Sequence, residues 1–249
     1  MRKVLIAALA LFSSPALTAT APAEPVASKS AAVSQAMRAT AHALAQTTAP
    51  HDTMVRMNML WAERGMLALP QNNPKSKSLE EDYPGIHQAM WNAAEPELRR
   101  QMEVNLPKLW ASLEDMYVQQ LTNSQLVGLL KFYRTPTGQR LIRGLYGNLA
   151  LSGAVDSIGR APKEAIDPAI LDKASAAARK KTVSQINPDP ADIRILQSAI
   201  SVDKMRAVGA KVQQLTFEWS TAIDADDDKR TKDLMQKAAL EYSRAHPNK

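Results

Sequence analysis

Apolar residues recur every three or four positions along most of the chain, which is the spacing of one face of an α-helix. The longest such seam covers about five helical turns and comprises Met205, Val208, Val212, Leu215, Trp219 and Ile223. A second stripe with the same period comprises Leu109, Leu113, Met116, Tyr117 and Leu121. No run alternates apolar and polar residues between turn residues, so the pattern predicts helices and no sheet.

Proline and asparagine divide this helical pattern into segments. Asn187-Pro188-Asp189-Pro190 is a strong break, and residues 71–78 have the composition of an exposed loop. A helix is expected to start at Glu95, with Pro96 in its first turn, and Pro107 should kink or restart it. The segments together predict an all-α protein, a single bundle of about seven to nine helices.

The centre of the chain carries signals for a helical hairpin. Thr122 and Gln125 form a Thr-x-x-Gln capping box, in which each side chain accepts a hydrogen bond from a backbone N–H at the start of a helix. That helix should end by Thr135, because Pro136 disfavours the helical conformation in the residue before it. Thr135 can then cap the next helix, and we expect this hairpin to be buried.

The first residues follow the three-part plan of a secretory signal. Arg2 and Lys3 precede an apolar run at residues 4–12, and small residues follow it. We expect a signal peptide over residues 1–21, a flexible leader over 22–29 and an all-helical domain over 30–249. The candidate cleavage positions are Ala19, Ala21 and Ala23.

The composition agrees with export to the periplasm. The chain has 0 Cys, so no lipid-bearing cysteine follows the apolar run and no disulfide adds stability. The run is shorter than the ~20 residues that span a membrane, and no later stretch reaches that length, so no transmembrane segment is expected after cleavage. The formal net charge is +6, and removal of Arg2 and Lys3 leaves +4, which together with export argues against nucleic acid as a partner.

Positive charge is concentrated in the hairpin. No acidic residue lies between Asp115 and Asp156, whereas Lys131, Arg134, Arg140 and Arg143 all do. One interpretation is a patch that binds lipid headgroups, lipopolysaccharide or the acids of peptidoglycan. The other, commoner in proteins, is a solvated face neutralised by acids from another helix.

Signatures of catalysis and metal binding are missing from the sequence. Asp224, Asp226 and Asp228 open an apparent calcium loop, but Lys229 replaces the glycine that the loop needs. The four histidines are scattered, and there is no Gly-x-Ser-x-Gly motif. We therefore predict no catalytic residue, no cofactor and no metal site, although an enzyme is not excluded.

Two further clusters have competing interpretations. Glu80, Glu81 and Asp82 lie beside His87 and form the one acid–imidazole cluster, which we expect to be solvated. A methionine-rich segment could fill the core or line an adaptable groove for a partner; it comprises Met54, Met57, Met59 and Met66.

A segment around the hairpin resembles an uncharacterised family of exported helical proteins, the domain of unknown function 2059. The resemblance rests on Met116-Tyr117, Leu121-Thr122, Gln125-Leu126 and above all the segment Phe132-Tyr133-Arg134-Thr135-Pro136-Thr137-Gly138-Gln139-Arg140. Gln125, Leu121 and Arg140 stand where the family more often has an acidic residue, Phe and Lys. The resemblance implies an all-helical periplasmic protein with a family-like core at residues 95–160, and it implies no reaction.

The sequence therefore favours a non-enzymatic binding or assembly module of the cell envelope, with an envelope protein or an anionic envelope surface as its partner. An envelope-polymer hydrolase and a carrier of an apolar ligand are the alternatives. The candidate binding residues are those whose polar ends packing does not require, or whose charge is unbalanced locally: Lys131, Tyr133, Arg134, Gln139, Arg140 and Arg143.

Overall fold

The computed structural model describes residues 35–150, 168–221 and 225–247. It confirms the predicted all-α class, with eleven helices and no strand in those ranges. They are α1 Gln35–Thr48, α2 His51–Leu67, α3 Leu69–Asn72, α4 Pro74–Asp82, α5 Ile86–Gln120, α6 Asn123–Arg134, α7 Pro136–Ala150, α8 Pro168–Gln185, α9 Pro190–Ala199, α10 Val202–Thr221 and α11 Ala225–Ala245. The predicted signal peptide and leader lie outside the described residues.

The number of helices exceeds the predicted range because the expected loop at residues 71–78 is helical. The short helix α3 and the helix α4 occupy this region. Asn73 caps α4, since its side-chain oxygen accepts hydrogen bonds from the backbone N–H groups of Lys75 and Ser76. The asparagine and proline that suggest a loop therefore serve as the N-cap and first residue of a helix.

Helix α5 is the spine of the molecule, and α1, α2, α10 and α11 all pack against it. Its predicted start at Glu95 is wrong: it begins at Ile86, directly after Gly85, whose φ of 94° lies in the left-handed region that favours glycine. Pro96 and Pro107 both lie inside the continuous helix. Both prolines are exposed and three turns apart on one side, so the carbonyl groups that they leave unpaired can bond to water.

The remaining helices form a layer on the other side of α1 and α2. Helix α1 packs against both α5 and α6, and α2 packs against both α5 and α7. Helices α6 and α7 pack together, with α9 beside α6 and α8 beside α7. The order across this layer is therefore α9, α6, α7, α8, and we call these four helices the outer layer.

The apolar stripes read from the sequence form the core. Leu109, Leu113 and Tyr117 of α5 and Met205, Val208 and Val212 of α10 are buried in one cluster, as predicted. The capping box of Thr122 and Gln125 is present at the start of α6. Within the described ranges, none of the helices combines the length and apolar character that crossing a membrane requires.

Candidate functional site

Tyr133 is buried beneath the predicted basic patch. Its side chain is 1% exposed and belongs to the core, as do those of Tyr117 and Tyr146. The Tyr117 and Thr48 hydroxyl oxygens lie 3.0 Å apart, and the Tyr146 hydroxyl donates to the Thr48 carbonyl oxygen at 3.0 Å. Burial raises the pKa of Tyr117 to about 12 and the pKa of Tyr133 well above its ordinary value. These phenols are neutral parts of the core, so Tyr133 lies away from any surface ligand.

Gln139 and Arg140 differ in how they contact the hairpin. The Gln139 side-chain amide donates to the Tyr133 carbonyl oxygen at 2.8 Å and so spans the turn between α6 and α7. The Arg140 guanidinium donates to the Thr137 hydroxyl and to the Asn187 carbonyl, both at 3.4 Å. Gln139 therefore has a local structural partner, whereas Arg140 keeps an exposed charge beside weak contacts.

The threonines of the hairpin connect α7 to the start of α9. The Thr135 hydroxyl donates to the Phe132 carbonyl and accepts from the Gly138 N–H at 3.1 Å. The buried Thr137 hydroxyl accepts from the Asp189 N–H at 3.2 Å, and the Thr137 N–H donates to the Asp192 carboxylate at 3.3 Å. Most polar residues of the family-like segment thus make contacts that stabilise the fold.

Three cations on this hairpin have no such structural partner. Lys131, Arg134 and Arg143 are exposed, and within the described part of the chain none of their side chains forms an ion pair or a hydrogen bond. Val127 lies one helical turn before Lys131 and is 51% exposed, so an apolar side chain accompanies the charges on α6. Among the described residues, no acid from another helix neutralises these cations.

The same imbalance extends over the outer layer. In the residues described for its four helices and their connections, 123–150 and 168–199, nine residues are basic and three acidic, which gives a net charge of +6. That equals the formal charge of the whole chain, so the rest of the sequence is balanced. Lys180 and Lys181 of α8 are also exposed and form no ion pair within the described ranges. We call six of the exposed cations of this layer the basic face: Lys131, Arg134, Arg140, Arg143, Lys180 and Lys181.

Several cations of α5 and α11, in contrast, are paired with acids. Between α5 and α11, the Arg100 guanidinium lies 2.6 Å from the Glu97 carboxylate and 3.0 Å from that of Asp227, and Arg230 lies 3.5 Å from Glu97. The hydrogen bond from Arg100 is the main cause that lowers the pKa of Glu97 to about 2. Along α11, Lys229, Lys232 and Lys237 each pair with an acid four residues away.

The methionine-rich segment divides between the two roles proposed for it. Met54 and Met57 are buried in the main core. Met59 packs on Trp91 in a smaller cluster, against which the half-buried Met66 packs. Met59 also lines an open groove of about 440 Å³ between α2 and α5. The groove is lined by Arg56, Met59, Leu60, Glu63, Trp91, Glu95 and Arg99.

The acid–imidazole cluster is not fully solvated, contrary to expectation. His87 is 3% exposed, and its Nδ1 lies 2.7 Å from a carboxylate oxygen of Glu80. Glu80 also accepts from the Gly85 N–H at 2.6 Å, so it fastens α4 to the start of α5. Burial alone would raise the pKa of Glu80, but the hydrogen bonds from His87 and Gly85 outweigh it and hold the pKa below its usual range.

The described residues contain no group of three or more His, Cys, Asp or Glu side chains that could hold a metal ion. The described residues form an all-helical protein, and exposed cations give it a strongly basic face. The family described as "Uncharacterized protein conserved in bacteria (DUF2059)" matches residues 107–145. This match, which runs from the second half of α5 through most of α7, confirms the resemblance seen in the sequence. No curated protein and no solved structure matches the chain.

Proposed function

We propose that this protein is an exported, non-enzymatic binding module of the bacterial cell envelope, whose basic face attaches to anionic lipid headgroups. The observation that carries the proposal is the absence of an ion pair at Lys131, Arg134 and Arg143 within the described residues. An exposed cation without an acidic partner keeps its full attraction for an external anion, since no internal ion pair has to be broken.

The shape of the charged layer favours an extended anionic surface over a small ligand. The cations are exposed and spread over the three neighbouring helices α6, α7 and α8. Each cation near an anionic membrane contributes about 1 kcal/mol of attraction. The exposed side chain of Val127 adds an apolar contact of the kind that surface-bound helices make with the headgroup region.

Vesicle sedimentation tests the attachment. The processed protein should pellet with vesicles that contain phosphatidylglycerol but not with pure phosphatidylcholine, and added salt should weaken the binding because such attraction is screened within about 8 Å at physiological ionic strength. Replacing Lys131, Arg134 and Arg143 together by Gln should weaken binding by about a hundredfold.

A matched control distinguishes the effect of the basic face on binding from the effect of the total charge. The triple variant Lys229→Gln, Lys232→Gln, Lys237→Gln removes the same three charges from α11, where each one already has an acidic partner. It should bind nearly as well as the unaltered protein. Equal losses in the two triple variants, or binding that salt does not weaken, would contradict the proposal. Binding to isolated peptidoglycan but not to vesicles would replace lipid by the polymer as the partner.

The proposed location follows from the N-terminal pattern. Residues 1–21 have the charged, apolar and small-residue regions of a signal peptide, and export to the periplasm would place the basic face near membrane lipids. Fractionation of the producing bacterium, with N-terminal sequencing of the periplasmic protein, tests this step. An intact N-terminus in the cytosol would contradict it.

A further inference from the structure

The groove between α2 and α5 has an apolar floor and charged rims. Met59 and Trp91 are buried and Leu60 is half-buried, whereas the rims carry Arg56 and Glu63 on α2 and an ion pair between Glu95 and Arg99 on α5. The four groove residues of α2 occupy positions 56, 59, 60 and 63, so they lie on one face of that helix. The groove is separate from the basic face, and it contributes nothing to the function proposed above.

Two opposite charges in the groove have no ion pair. Within the described ranges, the side chains of Arg56 and Glu63 form no salt bridge and no hydrogen bond. The Arg99 guanidinium, in contrast, lies 2.6 Å from the Glu95 carboxylate. Seven residues separate the two unpaired groups along α2, which corresponds to about 10 Å. The groove therefore has an available cation and an available anion whose positions on α2 are about 10 Å apart along the helix axis.

The relative direction of α2 and α5 determines which residues lie at each end of the groove. The Trp110 indole N–H of α5 donates to the Ala49 carbonyl at 2.9 Å, just before α2 begins. Later residues of α2 line the groove with residues 91–99 of α5, so α2 runs antiparallel to α5. Arg56 therefore lies at the same end as Arg99, and Glu63 lies at the end of Trp91.

We propose that this groove binds a short linear peptide of about three residues with free termini. Three extended residues span about 10 Å, which matches the separation of positions 56 and 63 along the axis of α2. The terminal carboxylate of the peptide bonds to Arg56, and its terminal ammonium pairs with Glu63. An apolar side chain at the middle residue packs on Met59, Leu60 and Trp91, which is the arrangement expected of a small-ligand site with few polar contacts.

Isothermal titration calorimetry with alanyl-leucyl-alanine tests the proposal. The free peptide should bind with millimolar affinity or tighter, and its C-terminal amide and N-acetyl derivatives should each bind about tenfold more weakly, because each loses one charge-assisted contact. The nuclear magnetic resonance signal of the Trp91 indole N–H should shift on binding of the free peptide.

Variants assign each terminus to its partner. Arg56→Gln should bind the free peptide and its amide equally, and Glu63→Gln should bind the free peptide and its N-acetyl form equally. Arg244→Gln and Glu103→Gln remove exposed charges outside the groove and should keep the full discrimination. Circular dichroism checks that all four variants remain helical.

The proposal is overturned if the free tripeptide does not bind, if capping the termini leaves its affinity unchanged, or if the discrimination survives Arg56→Gln and Glu63→Gln. Tight binding of an uncharged apolar molecule of the same size, with no preference for the peptide, would also overturn it. None of these outcomes bears on vesicle binding by the basic face, so the two proposals fail independently.

Discussion

Two glycines of α7 lie in opposite environments. A Cβ atom built on Gly138 would overlap the Phe132 carbonyl oxygen and come within 2.6 Å of the Tyr133 Cα, whereas a Cβ on Gly147 would meet no atom within 4 Å. Backbone atoms cannot turn aside as a flexible side chain can. The close approach of α7 to the end of α6 therefore requires glycine at position 138, and no such requirement holds at position 147.

Gly138→Ala should lower the free energy of unfolding by about 1–3 kcal/mol, because the added methyl group forces the hairpin apart. Gly147→Ala should raise it by roughly 0.5–1 kcal/mol, since alanine loses less backbone entropy in a helix. Urea denaturation followed by circular dichroism measures both. If the two variants changed stability in the same direction, the close contact at Gly138 would not be what the hairpin depends on.

At the level of helices, the apolar period predicted which segments are helical better than it predicted where each helix begins and ends. Met205, Val208 and Val212 recur at helical spacing and are buried as that spacing requires. Pro96 misled the prediction, because the packing of four helices on α5 holds the proline inside a helix that local preference would end.

The candidate site was less predictable than the fold. The absence of acids near Lys131 and Arg134 is visible in the sequence, but the burial of Tyr133 depends on where the other helices pack. The groove was missed as a site because its walls come from two segments that lie about 30 residues apart. Only the methionine-rich pattern that includes Met59 hinted at it, and Trp91 gave no separate signal.

The contact between α5 and α11 should make stability depend on acid. The pKa of Glu97 is about 2 in the folded protein, below its ordinary value of 4.5, so the ionised group stabilises the fold above pH 4.5. That contribution is lost as the pH falls from 4.5 towards 2. We expect the free energy of unfolding, measured by urea denaturation at a series of pH values, to fall more steeply over this range in the unaltered protein than in Glu97→Gln.

Glu103→Gln is the control for this measurement. Glu103 is exposed on α5 and forms no ion pair among the described residues, so its replacement should leave the steep acid dependence in place. Parallel pH curves for Glu97→Gln and the unaltered protein would show that the network with Arg100 and Asp227 contributes nothing to acid sensitivity.

On the scale of the whole molecule, charge is sorted by layer. The outer layer carries a net +6 in its described residues, while acids pair the cations between α5 and α11. A molecule with such an arrangement has a preferred orientation towards an anionic surface, and approaches it faster than its overall charge alone would allow. The basic face lies on α6, α7 and α8, and the groove lies between α2 and α5, so one protein can bind a surface and a small ligand together.

The helices differ in how many other helices they pack against, and this difference should affect their amide hydrogen exchange. Helix α5 packs against α1, α2, α10 and α11, whereas α8, α9, α10 and α11 each pack mainly against one helix. Local opening of a helix breaks fewer contacts when the helix has one neighbour, so these four helices should exchange their amide protons first. We expect the slowest exchange around Leu109 and Leu113, measured by mass spectrometry after transfer to deuterated water. The protein would then loosen from its edges inward, and the spine would open only when the entire chain unfolds.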